Sequence, residues 1–544
     1  MAWRVPWIEH VMERRMNHTR KQSHIALLLV LFLGGCSAGA PQPIASPVAS
    51  APSSTPTASI TTVVPATALP SETPRFEPMQ CAFDAEQSPG YVVDCGFVVV
   101  PMRHRDPAGP TIRLAVARFR SQSSAPAPDP VIYLEGGPGG RALIDHVTAQ
   151  IAYTFTPRRD FIAFDQRGVG YSDPALGCPE LAQQTREELM RNESATEELA
   201  HEVAARFRCR DRLQSQGIDL AAYNTTESAA DVNDIRLALG YSKLDLFGAS
   251  YGTRLALTVM RDFPAVIRSV VLDSVEPPQV NEIENLFANT DQALTLDFQE
   301  CVASKACVGD VPTLIADFNQ AVADLNAHPL ALSNVVLTGD RFSSHIVSLL
   351  GAGAKIGGVP ALIEAAKRRD ENYLGDALAY YGAIGTLGNS VGMSTSVVCN
   401  DVVPFNSKDR TIAAAQRALP GTDASELPLA LSYFDMCAGW PSNPPDARNH
   451  QAVTSDLPTL ILESADDPAT PPANGQLAAQ TLSKSVYVET PGVGHTVMGT
   501  NCGRTVIASF VADPTAKPDT GCVASMGVSY ASTAIHQGGL VARP

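Results

Sequence analysis

Between residues 76 and 275 the chain repeats one local pattern, in which short apolar strand-like runs alternate with helical periods. That alternation restricts the fold to an α/β domain with a mostly parallel central sheet, because parallel neighbours need a long crossover and a helix supplies it. Tyr91–Met102 and Thr111–Arg120 read as two opening strands. Val131–Leu134 and Phe161–Phe164 are wholly apolar, and each is followed by a Gly-containing turn, as expected of buried central strands ending at a functional edge. Ser228–Leu239 has helical periodicity, closes on Gly240 and leads into the strand-like Leu244–Phe247; Val270–Leu272 makes one more strand.

From 276 to about 455 the period becomes mainly helical, as in Leu314–Leu325 and Pro360–Arg369, with Gly-rich breaks. Thr459–Leu462 and Val486–Val488 then resume the strand pattern, and Thr505–Val511 reads as a closing helix. A helical block interrupting a sheet that later resumes predicts a cap over 276–455, inserted between core segments 76–275 and 456–525, with a C-terminal tail over 526–544. A length of 544 residues exceeds what one hydrophobic core usually serves, and 45% apolar residues exclude wholesale disorder. The net charge of −16 argues against a nucleic-acid partner, which needs a basic face.

The N-terminus reads as an export signal. Arg14, Arg15, Arg20 and Lys21 precede an apolar run, Ile25–Leu33, too short to cross a bilayer as a mature helix. The run ends in Leu33-Gly34-Gly35-Cys36, which resembles a bacterial lipobox. The resemblance implies removal of residues 1–35 and acylation of Cys36, tethering an exported chain to a membrane. An ordinary signal peptide is the simpler alternative. Ser37–Ser71 carries no charged residue and is dominated by Ala, Pro, Ser and Thr, so 36–75 is expected to be a flexible tether. Eleven cysteines less Cys36 leave an even number, which fits a disulfide framework in an oxidising compartment. Sequence does not fix the pairing; neighbour spacing suggests Cys81–Cys95, Cys178–Cys209, Cys301–Cys307, Cys399–Cys437 and Cys502–Cys522. No CxxC occurs and no His has ligand-like spacing, so neither a metal nor a cofactor is expected.

Gly248-Ala249-Ser250-Tyr251-Gly252 matches the nucleophile elbow G-x-S-x-G, where a serine occupies a strained strand-to-helix turn with no room for side chains at the flanking glycines. A second copy, Gly388-Asn389-Ser390-Val391-Gly392, follows Gly-broken helix and precedes a strand-like run, so it is expected to be a cap loop. Glu135-Gly136-Gly137-Pro138-Gly139-Gly140 follows a buried strand and reads as an oxyanion loop, the N–H of Gly137 or a neighbour acting with that of Tyr251; a plain tight turn is the alternative. Asp466-Asp467 and His495 follow successive strands, giving the order Ser, Asp, His expected of an α/β hydrolase.

These stretches, in this order, resemble the proline iminopeptidase and tripeptidyl aminopeptidase family of α/β hydrolases. The resemblance rests on Gly136-Gly137-Pro138-Gly139-Gly140, Asp165-Gln166-Arg167-Gly168-x-Gly170-x-Ser172, and Ser250-Tyr251-Gly252-Thr253 running into Asp262-Phe263-Pro264. Cys437-x-x-Trp440-Pro441, Asp467-Pro468-x-Thr470-Pro471 and Gly494-His495 complete it, over roughly residues 90 to 522. It implies an α/β-hydrolase fold and a serine exopeptidase with nucleophile Ser250, base His495 and acid Asp467, the last preferred to Asp466 on the Asp-Pro-x-Thr-Pro pattern. Glu135 stands where proline iminopeptidases usually carry His, which favours the tripeptidyl branch with its TAP-like C-terminal region. Asp165 and Arg167 are read as a structural ion pair bracing the site loops. Recognition of a free N-terminus needs carboxylates for the ammonium, and the candidates are Glu135, Glu276, Glu282, Glu284 and Asp401. Peptides and, through the lipid, a membrane are the expected partners. A carboxylesterase or lipase using the same three residues is the main rival, followed by an inactive hydrolase-like binding module.

Overall fold

The structure, a computed structural model, describes residues 74–81, 91–143, 146–378 and 390–530. The signal segment with Cys36, the tether up to residue 73, Gly388-Asn389 and the tail beyond 530 lie outside the described residues.

Nine strands form one sheet. They begin with β1 (Arg75–Met79), β2 (Val93–Pro101), β3 (Thr111–Phe119), β4 (Val131–Leu134) and β5 (Phe161–Phe164). β6 (Leu244–Ala249) and β7 (Ile267–Asp273) follow; then, after a two-stranded ribbon of β8 (Leu330–Ala331) and β9 (Val336–Leu337), come β10 (Thr459–Ser464) and β11 (Ser485–Thr490). The sheet order is β1-β2-β3-β5-β4-β6-β7-β10-β11. β1, β2, β3 and β5 pair antiparallel in turn, and every pairing from β5 to β11 is parallel. The fold is thus the expected α/β-hydrolase architecture with a mostly parallel sheet. β1 has no counterpart in the sequence reading, because Arg75–Met79 carries too few apolar residues to signal a strand.

Alternation within each strand splits the core into two layers. Ile132 and Leu134 of β4 face one cluster, which includes Val232 and Ile235 of the helix Thr225–Ala238 and Leu255 and Val259 of the helix Tyr251–Asp262. Val131 and Tyr133 face the other, with Phe155 and the helix Asn501–Ala512. A third cluster, containing Phe298, Phe318, Phe342 and Leu362, is the separate core of a helical layer. Apolar side chains therefore cover both sheet faces, as a parallel sheet requires.

The helical layer is larger than the expected 276–455 cap. Pro179–Glu188 and Ala195–Ser215, placed with the core by the sequence pattern, pack on each other, and Ala195–Ser215 packs against the helix Pro420–Gly439. Buried Arg341 fixes them to the cap by donating to the carbonyls of Glu188, Leu189 and Arg191. Helical periodicity shows that a segment is amphipathic, not which surface will cover it. The start of the supposed tail is also placed. A Cβ on Gly492 would come within 2.5 Å of the Gly527 carbonyl carbon, and one on Gly357 within 2.2 Å of the Ser529 oxygen. All five disulfides join the pairs that neighbour spacing suggests.

Candidate active site

The chain leaves β4 for β5 on one side and then crosses from β5 to β6 on the other, so the crevice at the C-terminal ends of β4 and β6 is the topological switch point where such sheets bind ligands. The glycine loop follows β4 and Ser250 follows β6. Ser250 sits at φ 55° and ψ −128°, a strained conformation for a residue with a Cβ, immediately before the helix Tyr251–Asp262. The flanking glycines are sterically required: a Cβ on Gly252 would stand 1.9 Å from the Leu134 oxygen, and one on Gly248 would stand 2.3 Å from the Gly252 oxygen. The glycine loop lies against the elbow, since a Cβ on Gly136 would fall 2.8 Å from Ser250 Cβ. Gly137 adopts φ 113°, and buried Tyr251 shares a hydrogen bond with Thr225 through its hydroxyl, 3.0 Å away.

Asp467 and His495 meet. Their Oδ2–Nδ1 distance is 2.8 Å, with the Asp467 side chain fully buried and the His495 side chain 25% exposed, so the imidazole alone can face a substrate. Asp467 is held by its own turn: Oδ1 accepts from the amides of Ala469 and Thr470, and Oδ2 accepts from Thr470 Oγ1 at 2.7 Å. Burial opposes its ionisation, yet the His495 charge and these donors hold its carboxyl below the ordinary range. Burial equally opposes charging of His495, and Asp467, then Asp273, outweigh it and raise the imidazole pKa.

Asp273 and Glu463 have no role in the sequence reading, and Thr470 enters it only as part of the Asp-Pro-x-Thr-Pro pattern. Asp273, the last residue of β7, accepts the Ser250 amide on its backbone oxygen at 2.9 Å, while its carboxylate accepts the Val497 and Met498 amides at 2.8 and 2.7 Å. One residue thereby ties the elbow to the loop carrying His495, and the adjoining Ser274 Oγ accepts the Thr496 amide. Burial pushes Asp273 up to about 6. Glu463 is fully buried beside Asp467 and accepts the Val275 amide, and burial followed by the Asp467 charge raises its carboxyl well above the ordinary value. Polar residues closing otherwise apolar strands were the available signal for Asp273 and Glu463.

Several expectations need correction. Asp165 and Arg167 do not pair with each other. Buried Arg167 makes a bidentate bond to Asp231 and also donates to the carbonyls of Met102 and Ala222. Asp165 instead accepts the amides of Leu143 and Tyr171, and burial pushes it up to about 6. Ser390 precedes the helix Val391–Val397 rather than a strand. It braces two site loops, donating its amide to Gly139 O at 2.7 Å and its hydroxyl to Gly168 O at 2.6 Å.

The proposed ammonium-binding acids are occupied. Buried Arg254, on the helix after Ser250, pairs with Glu276 at 2.6 Å and with Glu282. Asp401 accepts the Thr225 amide and hydroxyl and the Asn449 side chain. Glu284 makes a bidentate bond to Arg410. Glu135 folds back to accept the Gly136 amide at 2.9 Å, and its backbone oxygen accepts from Gln166, so it shapes the glycine loop. Charge at these positions supports the architecture because each acid has a partner from another segment or from its own turn.

Comparisons with known proteins agree with this geometry. A profile of the alpha/beta hydrolase fold matches residues 129–304, and one of TAP-like proteins matches 428–522. The chain is 27% identical over 464 residues to serine protease Hip1 of Mycobacterium tuberculosis, covering 78% of this chain and 86% of that one. It is 28% identical over 418 residues to the tripeptidyl aminopeptidase of Streptomyces coelicolor, covering 70% and 73%. It is 27% identical over 476 residues to carboxylesterase B of Mycobacterium tuberculosis, covering 80% and 87%. The elbow serine falls within the first matched stretch and the buried Asp–His pair within the second, so the chain carries an α/β-hydrolase fold with a TAP-like C-terminal region.

Proposed function

We propose that the protein is a serine exopeptidase that cleaves peptides from a free N-terminus, of the tripeptidyl aminopeptidase type, through an acyl-enzyme. The observation that carries this reading is the 2.8 Å Asp467–His495 pair, tied through Asp273 to the elbow of Ser250. Ser250 Oγ attacks the scissile carbonyl while His495 Nε2 takes its proton. The carbonyl oxygen becomes an oxyanion, for which the N–H groups of Gly137 and Tyr251 are the proposed donors. His495 then gives the proton to the leaving amine as the C–N bond breaks. Water, deprotonated by the same imidazole, releases the acyl group and restores Ser250. Asp467 holds the ring with its proton on Nδ1 and stabilises the imidazolium, without itself taking the proton.

A panel of tripeptidyl and aminoacyl p-nitroanilides beside short-chain esters tests the reading. Turnover of tripeptidyl nitroanilides by wild type and not by Ser250→Ala supports it. Turnover of esters alone would establish the esterase alternative. We also propose export and anchoring through Cys36, supported by the basic-then-apolar N-terminus ending in Leu-Gly-Gly-Cys and by five disulfides. Loss of fatty-acid incorporation and of membrane fractionation in Cys36→Ser is the expected outcome; an unchanged distribution would refute anchoring at this residue.

A further inference from the structure

The helices Pro179–Glu188 and Ala195–Ser215 form a hairpin, and the Cys178–Cys209 disulfide closes its open end. At the turn end Glu188, Glu193 and His201 come together, one donor atom of each lying within 4.8 Å of the other two. His201 Nδ1 is 3.2 Å from Glu188 Oε1 and 3.5 Å from Glu193 Oε2. Glu188 is 4% exposed, and its Oε1 is held by Gln184 Nε2 at 2.9 Å. His201 Nδ1 and Glu193 Oε2 are buried atoms, and among the described residues neither has a hydrogen-bond partner. The nearby cations are engaged on other oxygens: Arg191 faces Glu193 Oε1 at 3.6 Å and also Glu187, while Arg341 pairs with Glu198.

These distances suit ligands of one ion better than an ion pair. A proton on Nδ1 can point at one carboxylate, whereas here two oxygens flank the nitrogen and neither contact has hydrogen-bond geometry. Nitrogen and oxygen ligands about 2.0–2.1 Å from a tetrahedral zinc stand about 3.3 Å from one another, which matches both separations. One imidazole nitrogen with two carboxylate oxygens is a donor set for zinc, whereas Ca²⁺ and Mg²⁺ take oxygen ligands. The hairpin is fixed before any ion arrives, by the disulfide at one end and at the other by Arg341, which donates to the carbonyls of Glu188, Leu189 and Arg191. Little ordering is then left for binding to impose. The His201 side chain is 45% exposed, which gives an ion its way in.

We propose that Glu188 Oε1, Glu193 Oε2 and His201 Nδ1 bind one zinc ion, with water as the fourth ligand. Two carboxylates balance the charge of the ion, and the three lone pairs that now face one another converge on it. Gln184, which already donates to Glu188 Oε1, orients that carboxylate from outside the ligand set. The ion clamps the turn between two helices whose carbonyls anchor Arg341 of the cap, so its effect is on the stability of the helical layer. The inference stands independently of the peptidase reading. The three residues share no motif spacing, which is why the sequence gave no sign of a metal.

The experiment strips the full chain with a chelator and titrates it with Zn²⁺ alone, reading bound metal by equilibrium dialysis and the melting temperature in parallel. Wild type should take up one zinc per chain and melt at a rising temperature as zinc is added, because the ion binds only the folded hairpin. Glu188→Gln, Glu193→Gln and His201→Gln should each weaken binding by at least about tenfold and remove the rise in melting temperature, with near-UV circular dichroism showing that each variant is folded. Co²⁺ in wild type needs no variant: it should give the visible absorption of a tetrahedral site, and zinc should displace it. Absence of stoichiometric zinc in wild type, or affinity retained in all three variants, would overturn the site. A melting temperature raised as much by Ca²⁺ as by Zn²⁺ would mark neutralisation of carboxylates without a nitrogen ligand and would overturn it as well.

Discussion

Replacing Asp467 by Asn separates the electrostatic role of this residue from its shape. Asp467 receives four hydrogen bonds: two loop amides on Oδ1, and Thr470 Oγ1 and His495 Nδ1 on Oδ2. In Asp467→Asn the new carbonyl keeps the two amides, which places the NH₂ group against Nδ1. Two donors cannot share that contact, so the imidazole turns to the tautomer with Nδ1 bare and the proton on Nε2. That nitrogen then cannot accept the Ser250 proton, and no carboxylate remains to stabilise an imidazolium. The same change in a Ser-His-Asp site lowers kcat about 10⁴-fold, or about 5.4 kcal/mol of barrier, with the geometry intact. The loss should appear in kcat for a tripeptidyl nitroanilide, with KM little altered, and in the rate of fluorophosphonate labelling of Ser250. Asp466→Asn, assayed in the same way, should not reproduce it. A loss below tenfold in Asp467→Asn, or equal losses at 466 and 467, would refute the assignment of the acid.

Other consequences can be measured independently. His495 must be neutral to act as a base and its pKa is raised, so kcat/KM should fall as pH drops through a value above 6.5; Asp273→Asn removes one of the charges raising it and should move this acid limb to lower pH, whereas an upward shift would contradict the role given to Asp273. Ser390→Ala should retain fluorophosphonate labelling while losing about 1 kcal/mol of stability with its bond to Gly168, and Ser250→Ala should abolish labelling. Arg254→Met leaves Glu276 and Glu282 without their shared cation and should cost about 3–5 kcal/mol in urea unfolding. Because the Glu276 carboxyl is raised in the folded protein, its unfavourable contribution should grow as pH rises above about 4.5 and be relieved on acidification; a deficit that deepens in acid would be the wrong sign. Opening the Cys399–Cys437 bridge, which spans 38 residues, by a double Ser substitution should cost about 4 kcal/mol on loop entropy.

Much of this was legible without coordinates because it is written locally. The apolar runs that became β4, β5, β6 and β10, the glycines around Ser250 and the order Ser250, Asp467, His495 depend on residue size, periodicity and chain direction. Close-spaced cysteines also paired with their neighbours, since short loops bring them together most readily. Which charges would meet depended on the fold. Arg167 found Asp231 instead of Asp165; Arg254 took up Glu276 and Glu282, and Ser390 became a brace between loops. Glu188, Glu193 and His201 share no motif spacing and converge only once the turn between their two helices has closed. Local sequence sets backbone geometry, whereas electrostatic partnership is settled by burial and proximity between distant segments.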